Sequence, residues 1–226
     1  MKEEYPMHCA ECLVQNCQVQ CKQPGGADCP MKDQALFDAI LAEYQKPDIH
    51  TFYEASVESM RQSFARLTRL METINFCRLM KYHTIGIAYC SGMLREGRIV
   101  NALFKKEGFE TVSAGCKVGG FSSEELIGPC PMRESLPERR DLRSPDGRLH
   151  PPEKVKPRAI CDPIGQAMVL NEANTEFNVV VGLCVGHDSL FLQYANAPCT
   201  VLVAKDRMLN HNPVADFYTA EARGLL

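Results

Sequence analysis

The chain has 226 residues, of which 45% are hydrophobic and 23% are charged, and its net charge is −3. This length and composition fit one substantial globular domain, or one domain with a small appendage. The weakly negative charge argues against nucleic acid or an acidic membrane as partner, and no apolar run is long enough to predict a membrane span.

Cysteine is the unusual residue of this chain. Twelve cysteines are present, and five of them fall within the first thirty positions: Cys9, Cys12, Cys17, Cys21 and Cys29. The N-terminus lacks the apolar core of a signal peptide, which predicts a cytoplasmic protein. Because disulfides are rare in a reducing cytoplasm, clustered cysteines favour metal binding or catalysis over structural disulfides.

Residues 1–32 form the first predicted unit, a cysteine-rich segment that is too short and polar to bury an apolar core. We expect a metal ion or an iron–sulfur cluster to supply the missing folding free energy. The spacing C-x2-C-x4-C-x3-C-x7-C-P offers five thiols where four would be enough. The predicted ligands are Cys9, Cys12, Cys17 and Cys29. Cys21 is either spare or a supporting residue of the site, and the spacing does not decide between Zn²⁺ and a [4Fe-4S] cluster.

Residues 33–82 are predicted to be a helical lead-in that packs on the main domain. Apolar residues at intervals of three and four predict one short helix over 31–44, which Pro47 ends. The same spacing predicts a second, longer helix over 52–80, with its basic residues on a solvated face.

Residues 83–226 are predicted to be an α/β domain. Apolar strands alternate with amphipathic helices along this part of the chain. The strands are predicted at 84–90, 109–116, 177–184 and 199–204, and the helices at 93–106, 164–174, from 186 and from 213. This alternation predicts a doubly wound, mostly parallel sheet, Rossmann-like or flavodoxin-like. Residues 128–158 are rich in proline and charge, which predicts a surface excursion or lid.

Four cysteines outside the first segment occupy equivalent positions in this sheet. Cys90, Cys116 and Cys184 end predicted strands, and Cys161 precedes a predicted helix. Because the carboxyl ends of parallel strands share one edge, where α/β proteins bind ligands, we predict a second four-cysteine site there for zinc or a [4Fe-4S] cluster. The alternative is that these are small core residues, since buried cysteine is common in apolar strands.

Several polar residues are candidates for the same edge of the sheet. His187 and Asp188 are either acid–base groups or metal ligands, or else a turn residue and a helix cap. Residues 205–207 (Lys-Asp-Arg) and His211 follow the last strand and either reach this edge or belong to a loop. Two further cysteines are predicted to be core residues: Cys77 and Cys199.

The chain resembles a known family in a series of short motifs. These are CAEC, SGMLREGR, GCKVGG, CDPIGQAMVLNEA, VVGLCVGHDSLF and KDRMLNHNP. They are similar to the "domain of unknown function 1847" family, prokaryotic proteins described as predicted metal-binding proteins, over nearly the whole chain except 128–158. The resemblance implies metal binding through the N-terminal cysteines, here Cys9, Cys12, Cys17 and Cys29. It implies no reaction.

The sequence therefore predicts a metal–thiolate protein with two possible kinds of function. With two [4Fe-4S] clusters, the N-terminal cluster would relay electrons to the second site in an oxidoreductase that acts on a small-molecule substrate or a redox partner protein. With zinc, which has no redox chemistry, the protein would be a metallochaperone or sensor without catalytic activity, or a small-molecule binding domain with a structural metal.

Overall fold

The computed structural model describes residues 9–19, 23–26, 29–129, 159–220, 222 and 224. The chain divides into two compact units, Met1–Phe64 and Ala65–Leu226. The boundary between them falls inside the segment 33–82. Most of the predicted excursion, residues 130–158, lies outside the described residues. Among the described helices, none combines the length and the hydropathy that a bilayer span requires.

The first unit contains three short 3₁₀ turns followed by two helices. The turns are Cys9–Glu11, Asn16–Val19 and Pro30–Lys32, and the helices are α1 (Gln34–Tyr44) and α2 (Pro47–Ser63). The helix α1 begins where the Asp33 carboxylate accepts a hydrogen bond from the Leu36 backbone N–H at 2.9 Å. Pro47 opens α2, because a proline in the first turn has no intrahelical hydrogen bond to lose.

The prediction of one helix over 52–80 was wrong. The structure has two helices, α2 and α3 (Arg69–Leu79), with a break between them. Ala65 adopts a left-handed φ of 56°, and the Thr68 hydroxyl caps α3 by accepting a hydrogen bond from the Met71 N–H at 3.4 Å. The apolar spacing continues across this break, so the periodicity alone did not reveal it.

The second unit is an α/β domain. In chain order after α3 its elements are β1 (Thr84–Tyr89), α4 (Leu94–Lys106), β2 (Glu110–Gly115), α5 (Ser123–Ile127), α6 (Pro163–Glu172), β3 (Phe177–Val181), α7 (His187–Tyr194), β4 (Cys199–Val203) and α8 (Val214–Thr219). All pairings among the described strands are parallel, in the order β2-β1-β3-β4. The predicted α/β fold and its four strands are confirmed. The short helix α5 was not predicted.

The strand order fixes where the chain reverses its direction across the sheet. The chain moves outward from β1 to β2, and then back past β1 to β3 and on to β4. Right-handed connections therefore place α4 on one face and α6 with α7 on the other, and α6 packs against α7. This is the order of the first four strands of a flavodoxin-like sheet, whose ligand crevice lies between the carboxyl ends of β1 and β3.

Glu176 joins the beginnings of β1 and β3 at the opposite edge of the sheet. Its Oε2 accepts hydrogen bonds from the backbone N–H groups of Thr84 at 2.8 Å and His83 at 2.5 Å. The bond from Thr84, together with that from His83, lowers the pKa of the Glu176 carboxyl. Since the folded-state pKa is depressed, the stabilisation is present above the unfolded value of about 4.3 and is lost as the pH falls through the folded value.

We expect Glu176→Gln to lower the free energy of unfolding by about 1 kcal/mol at pH 7, because the amide keeps an acceptor oxygen but loses the charge. Below the folded-state pKa of Glu176 this difference between variant and wild type should vanish. Urea unfolding at pH 7 and pH 3 measures it. The matched control is Glu110→Gln, which changes an exposed carboxylate on β2. A Glu176→Gln deficit that is the same at both pH values would contradict the prediction.

Candidate functional site

Four cysteines lie at the carboxyl edge of the sheet, at the positions that the sequence predicted. Cys90 and Cys116 directly follow β1 and β2, Cys184 follows the end of β3, and Cys161 precedes α6. We call these four the rim cysteines. Because the ligand crevice of this fold lies between β1 and β3, Cys90 and Cys184 flank it from opposite sides.

The backbone brings Cys116 and Cys161 into contact across 45 positions of sequence. The Asp162 N–H donates to the Cys116 carbonyl at 2.8 Å, and the Ile160 N–H donates to the Phe121 carbonyl at 2.9 Å. These two bonds hold the segment before α6 against the turn after β2. As a result, the Cys161 thiol donates to Cys116 Sγ over an S···S distance of 3.7 Å.

Hydrogen bonds stabilise the thiolate form of Cys116. The Ser91 N–H donates to Cys116 Sγ at 3.2 Å, and the Ser91 hydroxyl oxygen lies 3.5 Å from it. Burial by itself raises the pKa of the Cys116 thiol, but the bonds with Ser91, Cys161 and Cys90 outweigh burial and lower it. For Cys161 the balance is reversed: burial and the neighbouring charge of Cys116 raise the pKa to about 11. Cys161 is therefore the proton donor of the pair.

The other two rim cysteines are each held by a cation from the segment after β4. Lys205 Nζ donates to Cys90 Sγ at 3.2 Å, and Arg207 Nη2 donates to Cys184 Sγ at 3.0 Å. The hydrogen bond with Cys184 and the negative charge of the Cys184 sulfur raise the pKa of Arg207. The negative charges of Cys90 and Cys161 raise it further. Arg207 thus lies within electrostatic reach of three rim sulfurs.

Gln166 lies beneath the rim and ties two strands together. Its side chain is fully buried on α6, and its amide nitrogen donates to the Ala114 carbonyl at 2.7 Å and the Tyr89 carbonyl at 3.2 Å. Asp162 starts the same helix by accepting a hydrogen bond from the Gly165 N–H at 2.8 Å, as the sequence predicted. Sequence reasoning missed Gln166, although a polar residue on the inward face of an apolar helix was a signal that could have found it.

The remaining polar candidates have structural contacts. The Asp188 carboxylate accepts a hydrogen bond from the N–H of Ser189 at 2.8 Å, within the first turn of α7. His211 Nδ1 accepts a hydrogen bond from the Asp206 N–H at 3.2 Å, which ties the loop after β4. His187 begins α7, where its N–H donates to the Cys184 carbonyl at 2.9 Å. Of the candidates after β4, Lys205 and Arg207 therefore supply the groups that contact rim sulfurs.

The cysteines predicted to be core residues differ in burial. Cys77 is wholly buried, and that burial raises the pKa of its thiol to about 12. Cys199 is half-buried in β4, where burial again raises the pKa of the thiol. Its sulfur accepts a hydrogen bond from the Asn178 amide at 3.8 Å. Neither thiol is in contact with the rim cysteines.

The N-terminal cysteines are partly brought together around Gly25. A methyl group at Gly25 would lie 3.2 Å from Cys12 Sγ, and the Gly25 N–H donates to Cys29 Sγ. The backbone N–H groups of Gly25, Met31 and Gly26 lower the pKa of the Cys29 thiol. Cys9 and Cys17 are exposed. Cys21 lies outside the described residues.

Neither set of cysteines forms a complete ligand set. Over residues 9–19, 23–26, 29–129 and 159–220, no three side chains of His, Cys, Asp or Glu are arranged so that they could hold a metal ion. At the rim, Cys116 hydrogen-bonds with both Cys161 and Cys90, and cations contact Cys90 and Cys184. Beside them, a cavity of about 350 Å³ opens next to Ser91, Ser113 and Lys117, large enough for a small organic molecule.

Comparison with known proteins shows a family match that includes the rim cysteines. A family model described as "Protein of unknown function (DUF1847)" matches residues 29–130 and 148–202. The chain belongs to the DUF1847 family. All four rim cysteines lie within the matched residues, whereas Cys9, Cys12 and Cys17 precede them.

A relative of this DUF1847 protein extends the similarity to almost the full chain. Uncharacterized protein MJ0455 of Methanocaldococcus jannaschii is 35% identical over 213 residues, which cover 94% of each chain. No solved structure matches. The family resemblance predicted from the sequence motifs is confirmed, and it brings no reaction with it.

Proposed function

We propose that this protein is a metal–thiolate protein whose rim cysteines bind one metal ion. The observation that carries the proposal is the 3.7 Å separation of Cys116 Sγ and Cys161 Sγ. An ion with metal–sulfur bonds of about 2.3 Å in tetrahedral geometry holds its sulfur ligands about 3.8 Å apart. This pair of sulfurs therefore stands at the spacing that two ligands of one ion need, and Cys90 and Cys184 would complete the donor set.

The charges around the rim support the same proposal. A divalent ion with four thiolates carries a net charge of about −2. Lys205 and Arg207, which contact Cys90 and Cys184, supply two positive charges at the same place. Such a complex would be neutralised locally by side chains that are already hydrogen-bonded to its sulfurs, and this reduces the cost of holding it at a partly buried site.

The spacing favours a single ion over a [4Fe-4S] cluster at the rim. A cluster of that type binds each of its four cysteine sulfurs to a different iron, so its sulfur ligands lie farther apart than those of one ion. Zinc would give the rim a structural or Lewis-acid role, and a lone iron would give it redox chemistry. The metallochaperone or sensor function predicted for a zinc protein is the proposal that this geometry favours.

An electron-transfer function is the second candidate, and it rests on the N-terminal segment. We propose that Cys9, Cys12, Cys17 and Cys29 hold a separate metal ion or [4Fe-4S] cluster. The backbone N–H groups directed at Cys29 Sγ and the Gln15 N–H at 3.5 Å from Cys12 Sγ support this, because such bonds stabilise metal-bound thiolates and tune cluster potentials. A redox partner protein would then be the expected partner.

Metal analysis of anaerobically purified protein tests both sites. We expect Cys116→Ser and Cys184→Ser each to lower the zinc or iron content by about one ion per chain. The matched control, Cys199→Ser, should leave the content unchanged. A metal content that is unaffected by the rim substitutions would contradict the rim proposal. If the wild type contains acid-labile sulfide and Cys116→Ser does not, the rim holds an iron–sulfur cluster, and the proposal of a single ion is wrong.

The same experiment separates the N-terminal site from the rim. Cys12→Ser should remove metal without affecting the ion lost in Cys116→Ser, because the two sites use different cysteines. Absorbance near 400 nm that disappears with Cys12→Ser but persists with Cys116→Ser would support an N-terminal cluster. A metal content in Cys12→Ser equal to that of the wild type would overturn the proposal of an N-terminal site.

A further inference from the structure

The four rim sulfurs differ in the groups that they contact. Cys90 Sγ and Cys184 Sγ each accept a hydrogen bond from a cation, at 3.2 Å and 3.0 Å. Cys116 Sγ and Cys161 Sγ contact each other at 3.7 Å. Two sulfurs at this distance are in van der Waals contact, and an approach to about 2.0 Å would make a disulfide. Cys116 also hydrogen-bonds with Cys90, but the Cys90 sulfur is at the same time bound by Lys205.

The backbone around this pair is already fixed in a way that favours a covalent bond. The Asp162 N–H donates a hydrogen bond to the Cys116 carbonyl at 2.8 Å. Because Asp162 directly follows Cys161, this bond holds the backbones of the two cysteines together. The Lys117 ammonium also donates to the Ala159 carbonyl, which anchors the two segments on the other side. The two sulfurs can therefore close without the large backbone movement that separated cysteines would need.

We propose that Cys116 and Cys161 are a redox-active dithiol that a peroxide converts to a disulfide, with release of the rim metal. The release rests on the proposed function, whereas the disulfide does not, since it needs only the two thiols. A disulfide between these residues removes two of the four sulfur donors, and the two that remain are a poor site for the ion. The rim would thus hold metal in reducing conditions and release it when peroxide is present.

The reaction balances with hydrogen peroxide as the oxidant. Cys161 is half-buried and Cys116 is only 3% exposed, so Cys161 meets the peroxide first. The Cys161 thiol already donates a hydrogen bond to Cys116 Sγ, which takes up the thiol proton as the Cys161 sulfur attacks one peroxide oxygen. The O–O bond breaks, and the departing hydroxide takes that proton from Cys116 and leaves as water. The Cys116 thiolate then attacks Cys161 Sγ: the S–S bond forms, the S–O bond breaks, and the hydroxide leaves as a second water with a proton from solvent, which balances the proton that Cys116 released when it ionised. Two thiols lose two electrons, and one peroxide becomes two waters.

Hydrogen peroxide treatment of the full chain, followed by peptide mapping without reductant, tests the pairing. In chelator-treated protein we expect the peptides that contain Cys116 and Cys161 to be joined. In zinc-loaded protein we expect the same link, together with release of about one zinc per chain to a chromogenic chelator. Cys199→Ser is the matched control and should form the link as the wild type does.

The single-cysteine variants test the order of the steps. In Cys116→Ser, a sulfenic-acid trap such as dimedone should label Cys161, because the resolving thiol is missing. A rim link that joins Cys90 to Cys184, or wild-type Cys161 that remains a trapped sulfenic acid, would overturn the dithiol. A protein that holds no rim metal but forms the Cys116–Cys161 link would contradict the proposed function and leave the dithiol intact. A link that forms while all the zinc stays bound would overturn the coupled release.

Discussion

Gln166→Glu should destabilise the protein by about 3–5 kcal/mol at pH 7. The substitution keeps the size of the side chain but replaces a buried amide donor by a carboxylate, which would face the carbonyl oxygens of Ala114 and Tyr89. A buried charge without a partner has a cost of this order. Since a domain is stabilised by only about 5–15 kcal/mol, a large part of the free energy of unfolding would be lost. Urea unfolding at pH 7 measures the change.

The matched control for this prediction is Gln166→Met, which has a similar volume and no charge. It removes the same hydrogen bonds without adding a buried carboxylate, so we expect a loss of about 1–3 kcal/mol. The difference in free energy of unfolding between the two variants should become smaller at acid pH, because a buried carboxyl has a raised pKa and becomes neutral as the pH falls. Equal stabilities of the two variants at pH 7 would contradict the prediction, because a carboxylate at position 166 would then cost no more than the loss of the amide hydrogen bonds.

Removing both cations from the rim should weaken metal binding there by about 10- to 100-fold. The variant is Lys205→Met combined with Arg207→Met, which keeps the apolar stems of both side chains and eliminates their charges. The expected weakening follows from the proposed four-thiolate complex, whose net negative charge these side chains neutralise. Competition with a chelator of known affinity measures the metal affinity of the rim. The rim ion is identified as the one that Cys116→Ser removes.

Lys106→Met is the matched control for the cation prediction. Lys106 is exposed at the far end of α4 from the rim, so its loss changes the net charge of the protein but not the field at the cysteines. We expect its metal affinity to equal that of the wild type. An unchanged affinity in the double variant would mean that Lys205 and Arg207 do not belong to the metal site.

The fold could be predicted from the sequence where local signals were strong. Asp162 and Pro163 predicted the start of α6, and the apolar run over 177–184 predicted β3, because caps and buried strands leave clear patterns. The break between α2 and α3 could not be predicted in this way. It depends on the left-handed residue Ala65 and on the Thr68 cap, which interrupt the helix without interrupting the apolar spacing.

The candidate site could be predicted as a set of positions but not as a set of contacts. Because the carboxyl ends of parallel strands share one edge, where ligands bind, the sequence predicted that the four rim cysteines lie at the same edge of the sheet. Which sulfur touches which group depends on tertiary contacts between distant residues. Ser91 stabilises Cys116 from 25 positions away, and Arg207 holds Cys184 from 23 positions away. Nothing in the sequence next to Cys116 or Cys184 specifies these partners.

The rim cysteines lie on three different connections between strands, which makes the rim a property of the folded domain. Cys116 and Cys161 are 45 positions apart, and their contact depends on the packing of the segment before α6 against the turn after β2. An ion at the rim would therefore bind the native state far better than the unfolded chain, and would raise the free energy of unfolding by mass action. The N-terminal C-x2-C pair is a local chelate that a nascent chain presents as soon as it is synthesised. If the rim binds metal as proposed, its affinity for the ion would therefore report whether the domain is folded, whereas the N-terminal pair could chelate an ion in an unfolded chain.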